Sequence, residues 1–220
     1  MTPDVVRATG PDTWTFLQSL LSQDVSDLGA GERRVALLLT PQGKVDVLLG
    51  VTRDGDDALL DTDAGWGERL IAGLDRFRIR TAVELALEQR GEAPTAAEDA
   101  ARIAAGTPRM GADLDDSVIP QEADLDRDAV SFTKGCFVGQ ELVCRIDSRG
   151  HVNRHLRLLV LDPQVAPVPG ATIVHDGREV GAVTSGAPGV ALGYVRREVE
   201  PGSEVSVDGA PAIVRIRPGI

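Results

Sequence analysis

The sequence predicts an α+β protein, in which an antiparallel sheet with helices is followed by a small C-terminal β-barrel. Within residues 1–88, runs with helical spacing and runs of strand length follow one another as α-β-β-β-α-β, a pattern typical of an antiparallel α+β layer. After residue 150, about six short β-branched runs occur within about 65 residues, and a barrel closes the free edges of such strands. We therefore predict one domain over 1–150 and a second over 151–220.

Length and composition indicate a globular protein. The chain has 220 residues, of which 42% are hydrophobic and 26% charged, so it can bury a core. Acidic residues outnumber basic ones by 34 to 23, and the net charge of −11 repels a phosphate backbone. Aromatic residues make up only 3%, too few for a surface that stacks bases. We therefore expect no stable direct binding of nucleic acid.

The sequence contains no signal for a membrane, a leader or a metal. No apolar run approaches the ~18 residues of a membrane span, and the N-terminus lacks a basic segment followed by an apolar one. Cys136 and Cys144 do not make a disulfide framework, and four-ligand metal spacing is absent. We therefore expect a cytoplasmic protein with no membrane partner and no metal site.

Turn residues and apolar spacing predict the N-terminal elements. Pro11 and Asp12 favour a helix start, because proline fits the first turn and a carboxylate favours the positive end of the helix dipole. The turn at 41–44 separates the strands of a hairpin. The predicted set is a helix with Trp14, Leu17, Leu20 and Leu21 inward, a hairpin over 35–51, a strand at 58–61, a helix over 66–77 with Leu70, Ile71 and Leu74 inward, and a strand over 79–87.

Residues 95–105 carry the signals of a capped helix. Thr95 and Glu98 have the spacing of a capping box, in which each side chain bonds the backbone N–H of the other residue. Gly106 is a typical helix end. The segment 113–128 is acidic, and we interpret it as a solvated surface loop rather than a partner contact.

The C-terminal region consists of short strands and tight turns. The dipeptides Asp-Gly at 176–177 and 208–209 lie between β-branched runs and predict two hairpins. The predicted strands are 154–161, 171–175, 179–185, 190–196, 204–207 and 212–217.

The segment 131–141 places a cysteine in a setting that favours chemistry. Cys136 follows Lys134 by two residues and precedes a helix predicted over 139–147. Unpaired N–H groups at a helix start and a nearby ammonium both favour the thiolate form of a cysteine. The alternative is that Cys136 is an inert buried cysteine, as free cysteines often are.

This segment also carries a resemblance to a known family. Residues 134–141, KGCFVGQE, resemble the K-G-C-[FY]-x-G-Q-E signature of the YgfZ family. That family comprises folate-binding relatives of the glycine-cleavage T-protein and is linked to iron–sulfur cluster assembly and tRNA modification. Residues 16–18, 39–44 and 119–126 are also similar to family sequence. The resemblance implies a T-protein-like folate-binding domain over 1–150, with the middle region of the family shortened near 88–95, and a barrel after it.

The resemblance further implies a site and a cofactor. Cys136 would be the reactive residue, with Lys134 as the second catalytic residue. The implied cofactor is tetrahydrofolate or a derivative. A different interpretation stays open for Gln140 and Glu141, since both side chains also suit the start of a helix. The implied folate contacts are Gly135, Phe137, Gly139, Gln140, Glu141, Arg145 and Arg149.

Between residues 127 and 157 the charge balance reverses, because six cations face only three anions. Arginine binds carboxylates and phosphates through paired hydrogen bonds, so the cluster predicts an anion site that suits the glutamate tail of a folate. The alternative is that these arginines pair with the acidic segment 113–128. The six cations are Arg127, Lys134, Arg145, Arg149, Arg154 and Arg157.

Three functions remain open. The first is a folate-binding accessory protein for iron–sulfur cluster assembly or repair, with iron–sulfur proteins or assembly factors as partners and an indirect effect on tRNA modification. The second is a folate-dependent aminomethyltransferase. Aminomethyltransferases resemble this chain but carry a glutamate at the position of Ala104 and an acidic pair where this chain has Asp46 and Val47. The third is a non-enzymatic folate-binding module in which Cys136 only packs. Whether the protein is an enzyme is thus not decided by the sequence.

Overall fold

The computed structural model describes residues 2–220, apart from the side chain of Arg149. It confirms the predicted class, with a five-stranded antiparallel sheet and a closed six-stranded barrel. The chain forms two compact units. The first contains the residues up to Ala93 together with 115–120 and 126–149, and the second contains 94–114, 121–125 and 150–220. The division into domains at 1–150 and 151–220 stays a prediction.

The first unit is built on the five-stranded sheet, whose strand order is β2-β3-β4-β1-β5. Leu17, Leu20 and Leu70 are among the helix residues buried against it, and burying one such side chain stabilises the fold by roughly 1.5–3 kcal/mol. Its elements are β1 (Asp4–Thr9), α1 (Thr13–Leu20), β2 (Arg33–Leu39), β3 (Val45–Asp54), β4 (Asp57–Thr62), α2 (Gly67–Asp75), β5 (Glu84–Gln89), α4 (Asp126–Ala129) and α5 (Gln140–Arg149).

Strand β1 was missed by the sequence prediction, although it lies between β4 and β5 inside the sheet. Its burial alternates strictly, with Val6 and Ala8 in the core, but only six residues carry the pattern. Asp4 also begins this strand, and its carboxylate accepts hydrogen bonds from the N–H groups of Gly65 and Gly67 at 3.1 and 2.8 Å. Asp4 therefore satisfies the start of α2 from a distant part of the chain, which sequence spacing alone does not reveal.

Two further details of the first unit differ from the prediction. The strand predicted over 79–87 begins only at Glu84, because Arg80 adopts a positive φ of 55° and Ile79 is 75% exposed. In α1 the buried face includes Phe16, whereas Trp14 is only partly buried. The predicted hairpin over 35–51 is confirmed as β2 and β3.

The second unit contains α3 (Ala96–Ala104), residues 121–123 of a 3₁₀ helix (Pro120–Ala123) and the barrel. The capping box is confirmed: the Thr95 hydroxyl accepts the N–H of Glu98, and the Glu98 carboxylate accepts the N–H of Thr95 at 2.9 Å. Gly106, with φ of 73°, follows the end of α3 as predicted.

The barrel closes in the order β10-β11-β6-β9-β8-β7, since β7 also pairs with β10. Both Asp-Gly turns have positive φ at each residue, as a two-residue hairpin turn requires. Its strands are β6 (Arg154–Leu161), β7 (Thr172–His175), β8 (Arg178–Ala187), β9 (Val190–Arg196), β10 (Glu204–Val207) and β11 (Ala210–Ile216).

The acidic segment is not uniformly solvated, which corrects the interpretation of 113–128 as a surface loop. Asp113 is buried and accepts hydrogen bonds from the Arg102 guanidinium at 2.6 Å and from the Arg109 backbone at 3.1 Å. Glu122 is also buried and receives two bonds from Arg154, at 3.0 and 3.3 Å. A buried carboxylate needs such partners because desolvation of an unpaired charge is costly. Part of the acidity of this segment therefore serves the fold of the second unit.

Candidate functional site

The Cys136 loop, residues 131–139, lies between α4 and α5 in the first unit. Cys136 is exposed, which excludes the interpretation of this residue as an inert buried cysteine. Helix α5 begins at Gln140, close after it, as predicted. Cys144 is exposed on α5. Both thiols are therefore accessible, and the chain itself offers a control for experiments on Cys136.

Two glycines lock the Cys136 loop onto the β2–β3 hairpin. Gly139 has φ of +77°, and a Cβ added there would lie 2.5 Å from the Thr40 carbonyl oxygen and 2.9 Å from the Cα of Gly43. Gly43 also has φ of +77°, and its added Cβ would lie 2.7 Å from the Cβ of Leu142. Neither position accepts a side chain without movement of the neighbouring backbone. The hairpin turn and the loop, which are distant in sequence, thus meet through their glycines.

Lys134 connects the same loop to the end of α1. Its ammonium donates to the carbonyl oxygens of Gln18, Leu21 and Gln23 at 2.6, 2.7 and 3.1 Å. Carbonyls at a helix end lack intrahelical partners and attract a cation. Partial burial lowers the pKa of Lys134 to about 8, and the Asp24 carboxylate opposes that shift. The ammonium of Lys134 is thus bonded to the end of α1. A catalytic effect of Lys134 on Cys136 stays a prediction.

Three of the predicted folate contacts are used within the loop itself. The Phe137 ring is buried, with its centroid 5.7 Å from the Lys134 ammonium, a distance typical of a cation–π contact. The Gln140 side-chain oxygen accepts the N–H of Phe137 at 3.2 Å, so Gln140 supports the start of α5. Gly139 is enclosed by the hairpin, as described. These contacts support structural roles, and contact of the same residues with a folate stays a prediction.

The remaining predicted contacts face solvent or lie outside the description. Gly135 is exposed, has no positive φ, and an added Cβ would meet no heavy atom within 4 Å. Glu141 and Arg145 are exposed on α5. The side chain of Arg149 lies outside the described part of the structure. The fold of this chain therefore gives no steric reason for a glycine at position 135.

A cavity of about 380 Å³ opens beside Cys136. One face of α1 and the Cys136 loop provide its walls. The indole N–H of Trp14 donates to the Asp56 carbonyl at 3.0 Å, and the Arg53 guanidinium lies 4.7 Å from the ring centroid, so this wall is held on two sides. From the sequence we expect a folate to bind between the N-terminal region and the loop before α5; the cavity lies between these two segments, and the binding of a folate there stays a prediction. Its lining residues are Trp14, Thr15, Gln18, Ser19, Ser26, Lys134, Gly135 and Cys136.

Three of the six cations predicted to form an anion site have partners within the fold, and the alternative that arginines pair with the acidic segment holds for two of them. Arg154 bonds Glu122, and the Arg157 guanidinium lies 3.1 Å from Asp124. Lys134 is occupied by backbone carbonyls. The two carboxylates neutralise Arg154 and Arg157 locally, whereas the backbone carbonyls occupy the N–H donors of Lys134 without cancelling its charge.

A second charged cluster lies at Asp46, next to Val47, the position at which the sequence departs from the acidic pair expected in aminomethyltransferases. Asp46 is the extra residue of a β-bulge, because Leu38 pairs with Val47 while Leu39 pairs with Val45. Bulges redirect side chains. The Asp46 carboxylate is fully buried and bonds two arginines of the α2 region, Arg69 and Arg76, each at 2.6 Å.

Comparison with known proteins identifies the fold of this chain and the kind of barrel at its C-terminal end. The structure matches the glycine cleavage system aminomethyltransferase T from Bartonella henselae with a TM-score of 0.85, over 97% of this chain and 82% of that chain, at 20% identity. Residues 154–215 match the family of the glycine cleavage T-protein C-terminal barrel domain. The chain therefore has a T-protein-like fold with the C-terminal barrel of that class.

Two kinds of relative are similar in sequence. The chain is 23% identical to the "Iron-sulfur cluster assembly factor IBA57 homolog, mitochondrial" of Pyricularia oryzae, over 94% of this chain and 73% of that protein. It is 27% identical to the "Aminomethyltransferase" of Nostoc sp., over 97% of this chain and 53% of that protein. The chain thus spans about half the length of that aminomethyltransferase.

The described residues contain neither a membrane-spanning helix nor a cluster of metal ligands. Within residues 2–220, no helix is both long enough and apolar enough to cross a bilayer. In the same part of the chain, no group of three or more His, Cys, Asp or Glu side chains is placed to hold a metal ion. The cytoplasmic location stays a prediction.

Proposed function

We propose that this protein is an accessory factor for the assembly or repair of iron–sulfur clusters, with Cys136 as its reactive residue. The observation that carries the proposal is the exposed Cys136 thiol beside a cavity of about 380 Å³, on a loop tied to α1 and to the β2–β3 hairpin. The similarity to a protein named as an iron–sulfur cluster assembly factor supports it. Cysteine thiolates are the usual protein ligands of iron–sulfur clusters.

The surroundings of Cys136 suit a thiol that serves another molecule. A single thiolate provides one ligand, so the remaining ligands of a cluster come from a partner protein. Gly135 leaves open space next to the thiol, which lets a partner approach the backbone closely. Lys134 holds the loop in place without covering Cys136, which remains exposed. In this proposal the cluster is the cargo, and the loop presents the thiol to it.

The test compares the two cysteines. In cells that lack this protein, we expect the wild-type chain and Cys144→Ser to restore the activity of iron–sulfur enzymes, and Cys136→Ser to fail. Western blots confirm equal protein amounts, and alkylation rates of both thiols are measured as a function of pH, with Cys136 expected to react faster. Full restoration by Cys136→Ser would contradict the role of this thiol.

We further propose that the ligand is a reduced folate, because the sequence resembles folate-binding proteins at 134–141. The fit is partial. Phe137, Gly139 and Gln140 serve the loop, which leaves Gly135, Glu141 and Arg145 as exposed candidates. Calorimetry with tetrahydrofolate at two ionic strengths tests the point: we expect affinity to fall as salt rises, since charge pairs at an exposed site are screened. If tetrahydrofolate does not bind, the folate proposal is wrong, and the proposed role of Cys136 is tested separately by the cysteine variants.

Aminomethyl transfer is the second candidate, because the fold and the relative from Nostoc sp. favour it. Two residues oppose it. Val47 is fully buried in the core and offers no carboxylate, and Ala104 lies exposed on α3 where the enzymes carry a glutamate. We expect no turnover of an aminomethyl-lipoyl carrier protein in the presence of tetrahydrofolate. Measurable turnover would favour the enzyme.

An effect on tRNA modification follows from the proposal by an indirect route, through cluster-containing enzymes that modify tRNA. The net charge of −11 opposes direct binding. Arg154 is also paired with Glu122, which removes one of the cations proposed for a phosphate. A filter-binding assay with total tRNA at physiological salt is expected to show no saturable complex. A complex abolished by changing Arg149 and Arg154 to glutamate would contradict the indirect route.

A further inference from the structure

A pocket of about 320 Å³ lies at the Asp46 bulge in the first unit and is separate in its lining from the cavity at Cys136. Its volume is at the small end of the ~300–1,000 Å³ that small-molecule sites occupy. Side chains of both signs and one indole line it. The lining residues are Asp46, Gly65, Trp66, Arg69, Asp115 and Asp116.

The positive side of this pocket is held in place by a buried carboxylate. Asp46 has a fully buried side chain and bonds both Arg69 and Arg76, whose side chains are 48% and 52% exposed. Gly73 permits this approach, because an added Cβ would lie 3.2 Å from the Asp46 carboxylate and 2.6 Å from Leu38. Two guanidinium groups share one carboxylate, so one positive charge remains uncompensated. Within the described residues, Arg69 and Arg76 have no other ion-pair partner.

The negative side is held by a turn. The Asp115 carboxylate accepts the backbone N–H and the hydroxyl of Ser117 at 2.8 and 2.6 Å. Val118 donates to the Asp115 carbonyl and accepts the N–H of Val45 at 2.9 Å, which fixes the turn to the strand that carries Asp46. Asp116 is exposed beside it. The Asp115 carboxylate is therefore held in place, and Asp116 follows it in the same turn and also lines the pocket.

The opposite charges line one pocket without pairing with each other. Across the described residues, neither Asp115 nor Asp116 lies within 4.0 Å of an arginine or lysine nitrogen. A purely anionic ligand would be repelled by the two aspartates, and a purely cationic ligand would be repelled by Arg69. A ligand with both charges satisfies both sides, and an apolar group on it has the Trp66 indole to pack against.

We propose that this pocket binds a small zwitterionic amino acid with an apolar side chain. Its carboxylate bonds the free N–H groups of Arg69, its ammonium bonds Asp115 and Asp116, and its side chain contacts Trp66. The site does not involve Cys136, so the proposal stands apart from the role in cluster assembly.

The test uses tryptophan fluorescence and three related compounds. The chain has two tryptophans, so Trp14→Phe leaves Trp66 as the single reporter. We titrate the full-length variant with L-leucine, with 4-methylpentanoate, which lacks the ammonium, and with 3-methylbutylamine, which lacks the carboxylate. We expect a saturable change with L-leucine alone.

Charge variants test the assigned contacts. Asp116→Asn and Arg69→Gln are each expected to weaken L-leucine binding by about tenfold or more, the effect of losing roughly one charge-assisted bond. Arg90→Gln serves as the matched control, because Arg90 is exposed, pairs with Glu68 and does not line the pocket, so binding should not change. Asp116 is exposed, so Asp116→Asn keeps the test valid if Arg69→Gln proves unstable by circular dichroism.

Three results would overturn the proposal. Equal binding of 4-methylpentanoate would define an anion site, and equal binding of 3-methylbutylamine would define a cation site. The absence of a saturable response to L-leucine up to millimolar concentration would show that the pocket takes no such amino acid.

Discussion

The Cys136 loop and the Asp46 bulge both place cations at a pocket of the first unit, yet they use them differently. At the loop, the Lys134 ammonium donates its hydrogen bonds to three backbone carbonyls and so joins the loop to the end of α1. At the bulge, one buried carboxylate orients two half-exposed guanidinium groups. An arginine has five N–H donors and keeps some of them free in such a pair, whereas an ammonium has only three. The same formal charge therefore uses its donors within the fold in one place and leaves N–H donors exposed in the other.

The largest change in the free energy of unfolding is expected when both arginines that bond Asp46 are removed. Arg69→Met combined with Arg76→Met leaves the fully buried Asp46 carboxylate without a cation. Breaking a buried pair in this way costs about 3–5 kcal/mol of unfolding free energy. Urea unfolding measures it. Arg90→Met, which breaks the exposed pair with Glu68, is the control and should cost no more than about 1 kcal/mol. Similar costs in both proteins would show that Asp46 does not depend on its arginines.

The second largest effect is expected at Gly139, where the loop meets the hairpin. Gly139→Ala places a side chain at φ of +77°, which costs about 1–2 kcal/mol. The added Cβ also overlaps the Thr40 carbonyl, and overpacking adds about 1–3 kcal/mol. Thermal and urea unfolding measure the sum. If Gly139→Ala is as stable as the wild type, the contact between loop and hairpin is not as described.

Lys134→Met tests whether the ammonium joins the loop to α1. It leaves the carbonyls of Gln18, Leu21 and Gln23 without this donor. We expect a loss of about 1.5–3 kcal/mol, the usual contribution of hydrogen bonds to a charged group. Lys134→Arg, which keeps the charge, should recover part of it. A Lys134→Met protein with unchanged stability and unchanged alkylation rate at Cys136 would refute the structural role.

The pH dependence of stability provides a finer test of Lys134. Burial lowers its pKa from 10.5 to about 8 in the folded protein, so between these values the unfolded chain binds the proton and the folded protein does not. The contribution of Lys134 to the free energy of unfolding therefore increases as pH rises from about 8 to 10.5. Unfolding curves of the wild type and Lys134→Met across this range should differ in slope in that direction. Parallel pH profiles would contradict the lowered pKa.

The smallest effect on stability is expected at Gly135, the open glycine of the same loop. An added Cβ meets no heavy atom within 4 Å, so Gly135→Ala should change the unfolding free energy by less than about 0.5 kcal/mol. Recovery of iron–sulfur enzyme activity should nevertheless decrease, because the methyl group occupies the space beside Cys136. Full activity would show that no partner approaches this backbone.

Much of the fold could be predicted because local signals agreed with it. The Thr95 and Glu98 capping box, the two Asp-Gly turns and the hairpin over 35–51 depend on neighbours in the chain, and each was found where expected. Strand β1 was missed because its place depends on pairing with β4 and with β5, which lies some 80 residues later. The candidate site was predicted in part: the position of Cys136 just before α5 and a site between this loop and the N-terminal region were expected, but the exposure of Cys136 was left open and the contact with the hairpin was not predicted.

The sequence by itself determined the α+β class, the order of most elements and the position of a cysteine just before a helix, since turns, caps and periodicity are short-range. Only the tertiary structure decided where the charges are used. Lys134 bonds backbone carbonyls of the α1 region, Arg154 bonds Glu122, and Asp46 turns through a bulge toward Arg69. The physical reason is that a charged side chain is paired by whatever acceptor the fold brings within about 3 Å of it, and the spacing of residues along the chain does not contain that distance.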